Sequence, residues 1–303
     1  MPELPDLTVY LEALEHRLLD QQLLGMRIAS PFVLRTAEPP VDAFSDKTVT
    51  GFRRIGKRLV IELTDDHFIV IHLMIAGRLR WYQAGKKMPA KLGLMAFDFQ
   101  SGSLTLTEAS QKHRASVCLV KGMTDLKAYD QGGLEVIASS LDDFRGALSK
   151  ENHTLKRSMT DQKFLAGIGN AYSDEIFHYA RISPMRQIRF LGDDEWQRLH
   201  NATIFVLNKW TDILREKSAG KFPVKVTAFH EEMAAHGKYR QPCPDCGKPI
   251  QRIRYANNEC NYCAQCQNQG NLLADRGLSK LLKKDWPKTL EELDQIAPVR
   301  EKH

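Results

Sequence analysis

Apolar residues recur near the start of the chain at Leu7, Leu11, Leu14 and Leu18, and spacings of four, three and four place them on one face of a helix. Pro5 suits the first turn of that helix, because proline's fixed φ is already helical and its missing N–H would go unused there. After it come short runs of β type: "RIASPFVL", "LVIELT", "FIVIHLM", "RLRWYQ", "LMAFDFQ", "LTLTEA" and "ASVCLV". Turns rich in Gly, Asp and Lys separate them, and the spacing predicts a β-sandwich or barrel-like domain over residues 1–130. The pattern then becomes helical. "SSLDDFRGALSK" opens on a Ser/Asp entry, "NAYSDEIFHYARI" keeps helical spacing, and "DDEWQRLHNATIFVLNKWTDILREKS" is the longest periodic stretch. These predict a helical domain over 131–232. "SAGKFPVKVTAFHEEMAAHGKYRQ" has no period and reads as loop. A cysteine-rich module over 233–270 and an extension over 271–303 complete the expected organisation. In the extension Pro287 interrupts any long helix, and a solvated tail is expected, with "LSKLLKKDW" as a possible added contact for DNA or protein.

Composition narrows the function. With 303 residues, 43% of them hydrophobic, the chain can bury a large core. No run reaches the roughly 18 apolar residues of a membrane span, and the start lacks the basic, apolar and small-residue order of a signal peptide. A soluble cytoplasmic protein, at the nucleoid if bacterial, is expected, with no membrane partner. The formal net charge of +6 favours a polyanionic partner. Of the six cysteines only Cys118 lies outside the stretch from Cys243 to Cys266, so local metal binding is expected rather than a disulfide framework. "CPDC" (Cys243, Cys246) and "CAQC" (Cys263, Cys266) stand sixteen residues apart, the spacing of a closed four-thiolate structural zinc site. Cys260, in "CNYC", is an alternative ligand. The intervening "GKPIQRIRYANNECNY" suits a hairpin whose Arg, Asn and Tyr meet phosphates or a groove.

"DQKFLAGIGNAYSDEIF" places Gly167, Gly169 and Asn170 between two helical patterns. A tight glycine turn opening a helix presents unpaired backbone N–H groups, which attract an anion such as phosphate. No H-x-E, H-E-x-x-H or paired-carboxylate signature of a catalytic metal site is present.

Taken in order, "PELPD", "RRIGKRLVIEL", "IHLMIAGRL", the glycine turn and the cysteine module resemble the Fpg/Nei (formamidopyrimidine and endonuclease VIII type) DNA glycosylases over about residues 2 to 267. The resemblance implies an α+β fold: an N-terminal β-sandwich flanked by helices, a helix-two-turn-helix domain and a C-terminal β-hairpin zinc finger. It implies a monomeric repair glycosylase and abasic-site lyase acting on double-stranded DNA that carries damaged bases or abasic sites. Removal of Met1 would expose the secondary amine of Pro2 as the nucleophile, with Glu3 moving protons. An α-amine has an ordinary pKa of about 7.7 to 8.0, so part of it is neutral near pH 7. Lys57 and Asn170 correspond to the family's phosphate contacts, while Tyr172 and Glu175 are expected to support packing. Asp6 replaces the family's usual glutamate and is expected to be structural.

Two stretches depart from the family. Ile75 stands where the family places a gap-filling methionine and Met74 one position earlier, and "LTEASQKHRASV" lacks the family's Arg-Phe pair. Met74 or Ile75 as wedge, with Lys112, His113 or Arg114 facing the orphaned base, are the expected substitutes, since flipping a base out costs a few kcal/mol of unstacking. In the finger, the expected groove arginine falls near Glu259, leaving Arg252 or Arg254 to take its place.

Overall fold

The structure, a computed structural model, describes residues 1–110, 112–224, 226, 229–255, 258–275, 279 and 285–296. The chain divides into two compact units, Met1–Gly133 with Asn208–Ala228, and Leu134–Leu207 with Phe229–His303.

The first unit begins with the predicted helix α1 (Leu4–Leu18) and continues through eight strands. These are β1 (Leu23–Ile28), β2 (Val49–Ile55), β3 (Arg58–Leu63), β4 (His67–His72), β5 (Gly77–Tyr82), β6 (Gly93–Phe99), β7 (Gly102–Glu108) and β8 (Ser116–Lys121). They form two antiparallel four-stranded sheets, ordered β1-β6-β7-β5 and β2-β3-β4-β8. Alternation along β3 and β4 sorts their side chains. Leu59, Ile61, Ile69 and Ile71 enter the main core with Phe97, Leu104 and Leu106 of the other sheet, and with Leu7, Tyr10, Leu14 and Leu18 of α1. Val60, Phe68 and Val70 point the other way, into a smaller cluster with Val120 and with Leu126 of the short helix α2 (Met123–Lys127).

Two strands differ from the sequence reading. "RIASPFVL" is not one strand: β1 ends at Ile28 and a 3-10 turn covers Pro31–Val33, because Pro31 has no N–H to donate to a ladder. "VTGFRRI" forms a strand (β2) although Gly51, Arg53 and Arg54 dilute its apolar pattern. It is an edge strand of its sheet, where Arg53 pairs with Glu62 on β3.

In the second unit Ser140 caps α3 (Leu141–Leu148), its Oγ accepting the Asp143 N–H at 3.1 Å, as the Ser/Asp entry predicted. α4 (Leu155–Thr160) and α5 (Asn170–Ala180) flank the glycine turn. α6 (Asp193–Ser218) is the long periodic helix; Trp196 near its start meets Phe144 edge-on. Beyond α6 the described residues to Gln241 hold no helix or strand. The hairpin β9 (Gln251–Tyr255) and β10 (Asn258–Tyr262) follows, then α7 (Ala264–Asn268) and α8 (Leu290–Ile296). The fold is α+β. "LSKLLKKDW" lies mostly outside the described residues. The described parts of the extension do not form a solvated tail: Leu290 is buried against the hairpin, with Leu272 and Leu273 beside it, because that face of the hairpin is apolar.

Candidate active site and nucleic-acid interface

The start of α1 is built to hold the chain terminus. Pro2 and Glu3 are buried, Glu3 caps the helix and Pro5 lies in its first turn. Glu3 and Asp6 form a reciprocal capping box, each carboxylate facing the other's backbone N–H; Asp6 Oδ2 accepts the Glu3 N–H at 2.9 Å. The other oxygen, Asp6 Oδ1, is buried without a hydrogen-bond partner. Burial pushes the Asp6 carboxyl up to about 7; the Glu3 N–H holds it back and the Glu3 carboxylate adds to the rise. Burial also lowers the terminal amine, carried by Met1 in this chain. Glu3 and Asp6 oppose that shift, and Arg78 and Lys57 reinforce it. The terminal amine and the Asp6 carboxyl therefore share a poorly hydrated corner beside Glu3, the one lowered and the other raised toward neutrality.

Three loops of the first unit carry further candidates. Lys57 follows Gly56, whose φ of +57° makes the tight turn between β2 and β3. His72, at the end of β4, is lowered to about 4 by burial and by Arg58 and Lys57, which keeps its imidazole neutral at pH 7. The β4–β5 turn closes through the Gly77 N–H to Leu73 O at 2.9 Å, and a Cβ at Gly77 would stand 2.2 Å from that oxygen. Arg78 clamps the same turn, donating to Ile75 O at 3.0 Å and Gly77 O at 2.6 Å. At its tip Ile75 is 61% exposed, while Met74 is half-buried with a φ of +53°. Neither is a core residue of a strand end. Lys112, His113 and Arg114 are exposed on the β7–β8 loop, which buried Glu108 secures by accepting the Arg114 and Ala115 N–H groups at 3.1 and 2.9 Å.

The glycine turn in the second unit is tied down from several sides. Gly167 has a φ of +83° and donates its N–H to Gln162 Oε1 at 2.8 Å. Asn170 is the first residue of α5; its Nδ2 donates to the Glu259 carbonyl of β10 at 2.7 Å, and its Oδ1 is buried without a partner. Beneath it Lys156 donates from Nζ to Asn170 O at 2.8 Å, Ser173 Oγ at 2.9 Å and Asp174 Oδ1 at 2.5 Å. Asp174 Oδ2 takes His236 Nδ1 at 2.8 Å and the Asn261 N–H at 3.1 Å. Burial raises the Asp174 carboxyl, but Lys156 and His236 outweigh it and hold the group below its ordinary value. Tyr172 is fully buried, and Glu175 accepts three successive backbone N–H groups, from Ala234, Ala235 and His236, at 2.8 to 2.9 Å.

The sulfurs of Cys243, Cys246, Cys263 and Cys266 lie within 4.8 Å of one another, with Cys243–Cys266 at 3.9 Å and Cys246–Cys263 at 3.4 Å. Thiolates at about 2.3 Å from a tetrahedral zinc stand about 3.8 Å apart, so the four fit a zinc-finger-type metal site. Cys260 does not join them; it is buried beside Asp174. His178 reaches Cys243 from outside, its Nε2 3.2 Å from the sulfur. Arg252 is engaged, lying over the Tyr239 ring at 4.0 Å and 3.6 Å from Glu259, so the acidic residue of the hairpin does not stand uncompensated. Arg254 is exposed.

Sequence reasoning did not single out Arg78, His72, Lys156, Asp174, His178 or His236. Nothing along the chain announces that Lys156 meets Asp174 and, through it, a histidine sixty-two residues on.

Two family models match the chain: the formamidopyrimidine-DNA glycosylase N-terminal domain over residues 1–115 and its H2TH domain over residues 136–218. A formamidopyrimidine-DNA glycosylase of Desulforamulus reducens is 30% identical over 279 residues, covering 88% of this chain and 99% of the relative. A formamidopyrimidine-DNA glycosylase-like protein of Mycobacterium tuberculosis, itself uncharacterized, is 38% identical over 152 residues, half of this chain and 94% of its own. Among solved structures, a Lactococcus lactis FPG mutant in complex with a Fapy-dG containing DNA is 26% identical with a TM-score of 0.78, covering 88% of this chain and all of that one.

Proposed function

The chain belongs to the formamidopyrimidine-DNA glycosylase family, and from that premise we propose that it is a DNA repair glycosylase that also nicks the strand at the abasic site it makes. The observation that carries this reading is the buried start of α1, where Pro2 is held next to the Glu3–Asp6 capping box in surroundings that lower the amine ahead of it. Once Met1 is removed, the Pro2 nitrogen attacks C1′ of the damaged nucleotide. The glycosidic bond breaks, the base leaves with its electron pair and takes up a proton, and the Pro2 nitrogen gives up its own proton so that its lone pair is free to open the sugar ring. Glu3 protonates the sugar ring oxygen as the ring opens to the iminium. The iminium acidifies the C2′ proton, whose removal expels the 3′ phosphate by β-elimination. Water then releases Pro2. Helix capping and the proline-rich backbone keep the nucleophile in place, which is where the proximity advantage is won.

The partner is double-stranded DNA carrying a damaged base or an abasic site, met by a monomer in the cytoplasm. Lys57 and Asn170 bind phosphate. The Asn170 Oδ1, lacking a donor, and its second amide hydrogen leave that side chain capacity beyond the Glu259 carbonyl. Arg254, exposed, and Arg252, stacked on Tyr239, serve the hairpin's contact with DNA. Ile75, projecting from a clamped turn, fills the gap left by the everted nucleotide with Met74 behind it, and His113 and Arg114 face the unpaired base. One structural zinc ion on Cys243, Cys246, Cys263 and Cys266 would hold the ends of the finger together and take no part in the chemistry.

Borohydride trapping on a duplex with an abasic site, the adduct mapped by mass spectrometry, tests this reading. Wild type is expected to form an adduct at Pro2 and Pro2→Gly to lose most of it. If processed wild type binds the duplex and forms no adduct, the chain is a lesion-binding protein on a glycosylase fold.

A further inference from the structure

The segment after the finger lies beyond the stretch that carries the family resemblance, and its described parts are packed on the hairpin. Two separate apolar clusters stabilise the finger. One surrounds the thiolates and consists of Cys243, Ile250 and Cys263, with Cys266 against it. The other contains no thiolate: Ile253 of β9, Tyr262 of β10, Ala264 of α7 and Leu290 of α8, with Leu272, Leu273 and Met185 at its edge.

Polar contacts fasten the same segment. Asp275, 5% exposed, accepts the Arg254 N–H on Oδ2 at 2.7 Å, satisfying a β9 backbone donor from outside the sheet. The Tyr262 hydroxyl accepts the Leu273 N–H at 2.8 Å. Residue Asn271 bridges antiparallel to Thr289, and the Leu272 N–H reaches Lys288 O at 2.7 Å, so the chain returns to itself before α8 begins. At the start of α8 the Lys288 N–H is taken by Glu292 Oε2 at 2.7 Å and the Glu292 N–H by Thr289 Oγ1 at 3.3 Å. A small finger with only a thiolate-centred core depends on its metal to fold, because it buries too little apolar surface otherwise. Here the second cluster supplies burial that the metal does not control.

We propose that the described C-terminal residues, 271–275 and 285–296, form a clasp that holds β9 and β10, and with them Arg254, by contacts independent of the four thiolates. Loss of the metal then opens the thiolate end of the finger and leaves the hairpin formed. The role of Arg254 on DNA rests on the function proposed above; the clasp itself does not.

Amide hydrogen exchange on the full chain, metal-loaded and after chelation under reducing conditions, reads both ends of the finger separately. Chelation is expected to speed exchange around Cys243 and Cys246 by about tenfold or more while β9 and β10 change by less than about threefold. In Leu290→Asp the metal-free hairpin should exchange about tenfold faster or more, the factor implied by losing one buried leucine, and Leu290→Met should restore it. The clasp is overturned if wild-type β9 and β10 lose protection in step with the thiolate end, or if Leu290→Asp leaves metal-free exchange unchanged. Duplex binding across a salt series separates the two levels: Asp275→Ala should weaken it, and Asp275→Asn, whose amide oxygen still accepts the Arg254 N–H, should recover it. Protected strands combined with unchanged binding in both Asp275→Ala and Arg254→Ala would sustain the clasp and remove Arg254 from the DNA contact.

Discussion

Asp6 in the first turn of α1 and Asp174 just past the first turn of α5 are both fully buried carboxylates, and the protein treats them in opposite ways. Asp174 receives Lys156 on one oxygen and His236 with the Asn261 N–H on the other, and its carboxyl is held below the ordinary range. Asp6 receives one backbone N–H, leaves Oδ1 without a partner and is pushed up to about 7. Equal burial thus gives a permanent charge in one place and a group near half-protonation in the other. The difference lies in how many donors, and of what charge, the surroundings supply. Saturated partners make Asp174 a scaffold under the glycine turn. Unsaturated ones leave Asp6, beside Glu3 and the terminal amine, able to exchange a proton near neutral pH, which is where acid–base chemistry operates best.

The sharpest break in this contrast is Glu3→Gln, which keeps the shape of the helix cap and removes the exchangeable proton. Single-turnover formation of the borohydride-trappable iminium should fall by about 10²- to 10⁴-fold with the melting temperature nearly unchanged. Asp174→Ala should do the reverse, because it strands Lys156 in the interior. A loss of about 3–5 kcal/mol in denaturant unfolding is expected, and a loss under about 1 kcal/mol would mean the pair is not buried as described.

Asp6→Asn isolates the titration. A folded-state pKa raised above the unfolded value gives stability that is complete below about 3.8 and declines as pH rises to about 7, by on the order of 4 kcal/mol across that window. The variant cannot titrate, so its melting temperature should gain on wild type as pH increases from 4 to 7. Parallel pH profiles would show Asp6 to be ionised throughout. Smallest are the phosphate contacts: Lys57→Ala or Asn170→Ala should weaken binding to every duplex alike and reduce the salt slope by about 1. Altered base preference at unchanged affinity would contradict both assignments.

Period and spacing made much of this legible. The apolar stripe of α1, the β-type runs of β3 and β4, the Ser140 cap and the spacing of the four cysteines are local signals, and each reappears in the structure where the pattern put it. The second edge of a sheet was harder: β2 is half-buried and carries Arg53 and Arg54, so its pairing partner decides its conformation more than its own residues do. Least legible was the polar interior. Lys156, Asp174 and His236 are ordinary charged residues one by one, and only tertiary placement turns them into a buried chain of donors and acceptors. The same holds for Arg78, whose hold on the β4–β5 turn depends on carbonyl directions that no composition reveals.

That turn also restricts how its sequence can drift. Met74 occupies the left-handed region at φ +53°, which costs a residue with a Cβ roughly 1–2 kcal/mol relative to glycine. Three positions on, a Cβ at Gly77 would collide with the Leu73 carbonyl. Adding a methyl group at 77 jams the turn, whereas stripping the side chain from 74 relaxes it. Folding alone would be served better by glycine at 74, so the methionine side chain is carried at a cost that the turn itself does not require.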